Sequence, residues 1–223
     1  RVLFRSLLSW PRIRRLARAL PLSSASRALL SHALDDQHLR IAREVAPPVV
    51  PGRYRAAGER PRIGVLLPAL SAPAWTGWTR QLARHAGDAV RWLVYSLRVP
   101  GSFDTRMQPG ENDARLVDLS CFTTREAIGR VRLDRLDVLI DASDILDTSL
   151  APVLHARVAS RQLRGWIETP ASRAHDRALP LEHEPTQELA NESLQALLDT
   201  VLALAREARR ERSEEHTSEL QSH

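Results

Sequence analysis

The sequence predicts an α/β protein, a Rossmann-like parallel sheet with helices on both faces, flanked by an N-terminal helical segment and a C-terminal amphipathic helix. Three observations predict it. Short apolar runs such as Ile63-Gly-Val-Leu-Leu67 and Asp137-Val-Leu-Ile-Asp141 alternate with helix-like segments through residues 61–167. These runs are continuous rather than alternating, as strands covered on both faces require. The 223-residue chain is 43% apolar and 26% charged, which suits one hydrophobic core and argues against disorder.

The elements follow in order. Residues 7–46 read as helical, with Ile13, Leu16 and Leu20 and then Leu34, Leu39, Ile41 and Val45 at helical spacing, interrupted at Pro21. Pro47, Pro48, Pro51 and Gly52 mark a linker to about residue 60. Strands are expected at 63–67, 90–97, 115–119, 137–141 and 162–167. Residues 75–87 read as a helix closed by Gly87 as a C′ glycine. Thr123 or Thr124 caps a helix to about Arg132, with Glu126 in its first turn. Thr148 or Ser149 opens another, in which Pro152 is tolerated in the first turn. Residues 186–210 form a helix whose stripe is Leu194, Leu197, Leu198, Val201, Leu204, Ala205 and Ala208, with Pro185 at its start.

Composition excludes several functions. All 32 basic residues are arginine, a bias that GC-rich coding explains, so the net charge of +5 does not indicate nucleic acid. The cluster Arg12, Arg14, Arg15 and Arg18 reads as a solvated helix face. The uncharged run from Val65 to Thr79 is broken by Pro68, Pro73 and Gly77 and is too short to span a bilayer. With Cys121 alone, neither an internal disulfide nor a cysteine zinc cluster can form, and no His pair has zinc spacing, so no metal is expected. No G-x-G-x-x-G follows the first strand, and the absence of Lys excludes a P-loop. The protein is expected to be cytoplasmic, without nucleic-acid or membrane partners.

Both termini read as something other than natural sequence. Residues 212–223, Arg-Ser-Glu-Glu-His-Thr-Ser-Glu-Leu-Gln-Ser-His, match a translated sequencing adapter, and the reverse complement of its first codons encodes Arg-Val-Leu-Phe-Arg-Ser, residues 1–6. The expected organisation is therefore 1–6 adapter-derived, 7–60 helical flank and linker, 61–172 Rossmann-like domain, 173–211 connector and amphipathic helix, and 212–223 adapter-derived. Few tertiary contacts are expected from the two ends.

A family resemblance covers about residues 35–172. Leu136-Asp-Val-Leu-Ile-Asp141, the Pro152-Val-Leu helix start, Arg157-Val-Ala-Ser-Arg-Gln162 and Trp166-Ile-Glu-Thr-Pro170 agree in order and spacing with the first catalytic half of the protein O-linked N-acetylglucosamine transferases, which the chain resembles. The resemblance implies the first Rossmann-like half of a two-domain, GT-B, metal-independent glycosyltransferase. Such enzymes transfer N-acetylglucosamine from a UDP-sugar to Ser or Thr of a protein acceptor, with helical repeats preceding the catalytic region to present it. No cofactor beyond the UDP-sugar donor is implied. The chain departs from the family in two ways. It lacks the family's His after the first strand and after the Leu136–Asp141 strand. The family's Gly-Tyr-Pro-Gly-Thr loop stands here as Glu168-Thr-Pro-Ala-Ser172, keeping only the Pro. A non-catalytic scaffold of the same fold is the alternative.

Ligands of parallel sheets lie beyond the carboxyl ends of the strands. The resemblance places the donor loop there, with Thr169, Pro170, Ser172 and Asp141 as ligand-binding candidates; no catalytic residue is assignable. Asp141, Asp144 and Asp147 cluster at a strand end and read as helix caps or sugar-hydroxyl ligands. Cys121 is expected to be a small buried hydrophobe, and His155 a partly exposed helix residue.

Overall fold

In the computed structural model the described residues are 23–46, 59–67, 81–96, 115–142, 151–165, 174–179 and 190–221. Helix α1 (Ser24–Val45) is followed by β1 (Arg62–Leu67), helical residues 81–86 (α2) and a 3-10 turn at Gly87–Ala89. Then come β2 (Arg91–Ser96), β3 (Arg115–Asp118), α3 (Thr124–Leu133), β4 (Leu136–Asp141), α4 (Ala151–His155), β5 (Ala159–Arg164), β6 (Arg177–Ala178) and α5 (Asn191–Gln221).

The apolar runs become one six-stranded sheet of order β3-β2-β1-β4-β5-β6, every pairing parallel. This is the Rossmann-like arrangement that the alternation of strand and helix predicted. β4 is buried at all six positions because it lies between β1 and β5 with helices above and below. On one face Ile63, Val65, Val94, Val138 and Ile140 pack under α2 and the α5 stripe. On the other, Leu66, Leu93, Tyr95 and Leu139 pack under Ala42 of α1, Ile128 and Val131 of α3, and Val153 and Leu154 of α4. All seven stripe residues of α5 named from periodicity are buried.

Local chemistry sets the ends of the elements. Thr123 Oγ1 accepts from Glu126 N while Glu126 accepts from Thr123 N (2.8 Å), a capping box that starts α3. Such a cap contributes about 1 kcal/mol. Gly87 has φ of +51°, the left-handed conformation expected of a C′ glycine. Tyr95 donates to Asp134 Oδ2 (2.8 Å) at the end of α3, and burial together with that carboxylate pushes its phenol well above the ordinary range.

Four expectations need correction. The fifth strand runs 159–164, three residues earlier than 162–167. Its polar centre is accommodated because Gln162 donates to Leu154 O (2.8 Å) and Ala174 O (2.7 Å) and accepts from Val158 N (3.1 Å). The last helix starts at Asn191, not at 186, and continues to Gln221. Pro185 lies outside the described residues, as do 1–22 and hence the Arg12–Arg18 cluster. His155 is buried rather than partly exposed, its Nε2 3.1 Å from Asp35 of α1, with the His38 ring beside it. Cys121 is exposed rather than buried, since it falls in the turn between β3 and α3. Among the described residues no helix is long and apolar enough to cross a membrane.

Candidate functional site

The chain order of the sheet reverses between β1 and β4, so the crevice of such a fold opens at the carboxyl ends of these two strands. There Leu66 of β1 lies in register with Asp141 of β4, and Leu67 with Ser96 of β2. Ser96 is buried, and its hydroxyl has no hydrogen-bond partner among the described residues.

Asp141 is the polar centre of this edge. The residue is 3% exposed, and its Oδ2 lies 2.8 Å from His175 Nε2. A carboxylate only accepts, so the ring donates from Nε2. The backbone carbonyl of Asp141 accepts from Gly165 N (2.7 Å). Gly165 is needed for this approach: a Cβ there would stand 2.8 Å from the Asp141 carbonyl oxygen and 3.2 Å from the Ile140 side chain. Asp141 therefore ties together residues on either side of segment 166–173. The far side is held again from β5. Ala174 O accepts from Gln162 Nε2 and from Arg157 (3.2 Å), and Asp176 Oδ2 accepts from Gln162 N (2.7 Å).

Of the residues expected at the site, Asp141 is where the sequence placed it, at the carboxyl end of the central strand. Thr169, Pro170, Ser172, Asp144 and Asp147 lie outside the described residues; in sequence the first three fall between the anchored Gly165 and Ala174. His175 and Ser96 were not anticipated. His175 stood in a stretch read as a polar connector, and its partner lies 34 positions earlier. The histidine stands two residues before the two-residue β6, where periodicity singles nothing out. Among the described residues no three His, Cys, Asp or Glu side chains could hold a metal ion.

The opposite end of β4 carries a different aspartate. Asp137 is 0% exposed and accepts from Arg62 N (2.9 Å), Arg209 Nε (3.2 Å) and Nη2 (3.0 Å), and Arg212 Nη2. Burial alone would raise its pKa, but the hydrogen bonds from Arg209, the Arg62 amide and Arg212 outweigh burial and hold it below the ordinary value. Arg209 also donates to the carbonyls of Glu59 (2.5 Å) and Arg60 (2.8 Å). Arg212 reaches Ser160 as well, so the first residue beyond 211 does make tertiary contacts.

No protein-family model matches the chain. No curated protein matches it by sequence. Among solved structures it is similar to a mutant O-GlcNAc transferase of Thermobaculum terrenum. That match has 23% identity and a TM-score of 0.43, covering 66% of this chain and 30% of the other. The chain thus spans less than a third of that protein's length.

Proposed function

We propose that the chain is the first Rossmann-like half of a glycosyltransferase that takes N-acetylglucosamine from a UDP-sugar to Ser or Thr of a protein, with the carboxyl edge of the sheet as its ligand face. The observation that carries this reading is the position of the resemblance in the fold. Leu136-Asp-Val-Leu-Ile-Asp141 is the central strand, and its last residue stands at the crevice. The Trp166-Ile-Glu-Thr-Pro170 segment begins directly after Gly165, which is bonded to Asp141 at the same edge. Protein acceptors are presented by helical repeats outside the chain. Neither nucleic acid nor a membrane is a partner, and the protein works in the cytoplasm. Thr169, Pro170 and Ser172 contact the donor, and no metal takes part. A pseudoenzyme is the second reading, favoured by the loss of both glycines from Glu168-Thr-Pro-Ala-Ser172.

The test is titration of the full chain with UDP-N-acetylglucosamine and UDP, followed by amide NMR. Weak binding is expected, with perturbations at Ser96, Ala142, Gly165 and 174–176 and none around Asp137. Transfer to a Ser/Thr peptide should be absent, because catalysis in two-half enzymes needs both halves positioned together. Perturbations confined to the amino edge, or equal binding of unrelated nucleotides, would refute the reading. Measurable turnover would show that the chemistry lies within this half.

A further inference from the structure

The His175 ring poses a question that the fold does not answer. Its side chain is 6% exposed, and Nε2 is committed to Asp141 Oδ2 at 2.8 Å. In the neutral ring Nδ1 then bears a lone pair. That nitrogen is buried and has no hydrogen-bond partner among the described residues. Buried polar atoms without partners are rare in native proteins, and a ligand is one explanation for them. The ring is also fixed in place. Ala174 before it is held by Gln162 and Arg157, and Asp176 after it by the Gln162 amide. A ring held on both sides, with its tautomer set by a carboxylate, is a pre-organised acceptor for one proton donor.

We infer that His175 Nδ1 accepts a hydrogen bond from a neutral hydroxyl of a bound ligand, with Asp141 as the positioning residue that sets the tautomer and ring orientation. A cationic ligand would suit the nearby carboxylate as well, but Asp141 Oδ2 is already engaged by the ring. An anion would be repelled by the lone pair, which leaves a neutral donor, and the hydroxyls of a sugar or of Ser and Thr are the donors that the proposed reading brings to this edge. The placement follows from topology. Asp141 ends the strand beside the crevice, and the His175 ring is bonded to it at that edge. The inference rests on the proposed reading only for the source of the hydroxyl, a sugar-nucleotide or a Ser/Thr peptide.

Long-range proton–nitrogen NMR on the full chain tests the first half without any ligand. The expected result is a ring with its proton on Nε2 and a bare Nδ1; a proton on Nδ1 would overturn the inference. Addition of UDP-N-acetylglucosamine, N-acetylglucosamine or a Ser-containing peptide, in separate arms, should shift the Nδ1 resonance in one arm and so name the source. His175→Gln keeps a donor toward Asp141 but moves the acceptor off the Nδ1 position onto an amide oxygen, so it should weaken binding of that probe about tenfold, the worth of one hydrogen bond. Shifts at Ala142 and Gly165 with an unchanged Nδ1 would overturn the inference and leave the carboxyl-edge reading standing. No shift anywhere in all three arms would overturn both. The Nδ1 measurement on the unaltered chain decides the matter even if the variant is poorly folded.

Discussion

Two aspartates four positions apart on β4 occupy opposite chemical situations. Asp137, at the amino end, is saturated: a backbone amide and two arginines fill its lone pairs. Asp141, at the carboxyl end, orients a histidine whose far nitrogen is unused. The first arrangement joins the last helix, the segment before β1 and the central strand into one clamp. The second ties down the sides of a segment and leaves an acceptor over. Saturation is what a stabilising site shows, and an unfilled acceptor at the carboxyl edge is what the proposed ligand hydroxyl would fill. The same strand therefore carries a carboxylate with its acceptor sites filled at one end and one that orients a ring with an unused nitrogen at the other.

The contrast breaks most visibly at Arg209. Arg209→Ala leaves a fully buried carboxylate short of its main partner, and should cost about 2–3 kcal/mol, toward the low side for a broken buried pair because Arg212 and the Arg62 amide remain. Urea unfolding followed by circular dichroism measures it, and a cost below 1 kcal/mol would mean that the clamp is ornamental. At the other edge, Gly165→Ala forces a methyl against the Asp141 carbonyl and should cost about 1–3 kcal/mol. It should weaken any ligand binding in parallel, which Arg209→Ala should not.

A smaller effect distinguishes the clamp by pH. Because the folded-state pKa of Asp137 is below its ordinary 3.8, its contribution is complete above that value and is lost as pH falls through the lower folded value. The stability gap between the unaltered chain and Asp137→Asn should therefore be constant near neutrality and shrink under acid. A gap that widens below pH 4 would reverse the assignment. The smallest effect concerns the chain end. Deleting 213–223 should move Tm by less than about 2 °C, whereas deleting 212–223 should lower it further through Asp137. Equal melting of the two would show that the contacts of Arg212 with Asp137 and Ser160 add nothing to stability.

The fold was largely legible because strands buried on both faces write their burial into composition. Val138, Leu139 and Ile140 have only one plausible environment, and so do the seven apolar residues of α5. β5 was misplaced because Ala159, Ser160 and Arg161 carry no such mark; pairing with Leu136 and Val138 recruits them. The site was legible only in Asp141. The burial of His155 depends on Asp35, 120 positions away, and the role of His175 on a partner two strands back. Neither partnership leaves a local pattern, since hydrogen bonds between distant elements impose no periodicity on either segment. β6, two residues long, is too short to be seen by alternation at all.

The position of α5 has a consequence for how the protein comes to exist. One whole face of the sheet, with Ile63, Val65, Val94, Val138 and Ile140, is closed mainly by residues 194–205. During synthesis every strand emerges before that cover does, so a sheet-forming, apolar surface waits for its last helix while the ribosome is still working. The clamp of Arg209 on Glu59 and Arg60 spans about 150 positions and is the slowest kind of contact to make. A chain truncated after residue 185 should therefore be held by chaperones and bind hydrophobic dyes, and restoring Asn191–Gln221 should release it. Its vulnerability lies in the interval before α5 docks on the sheet.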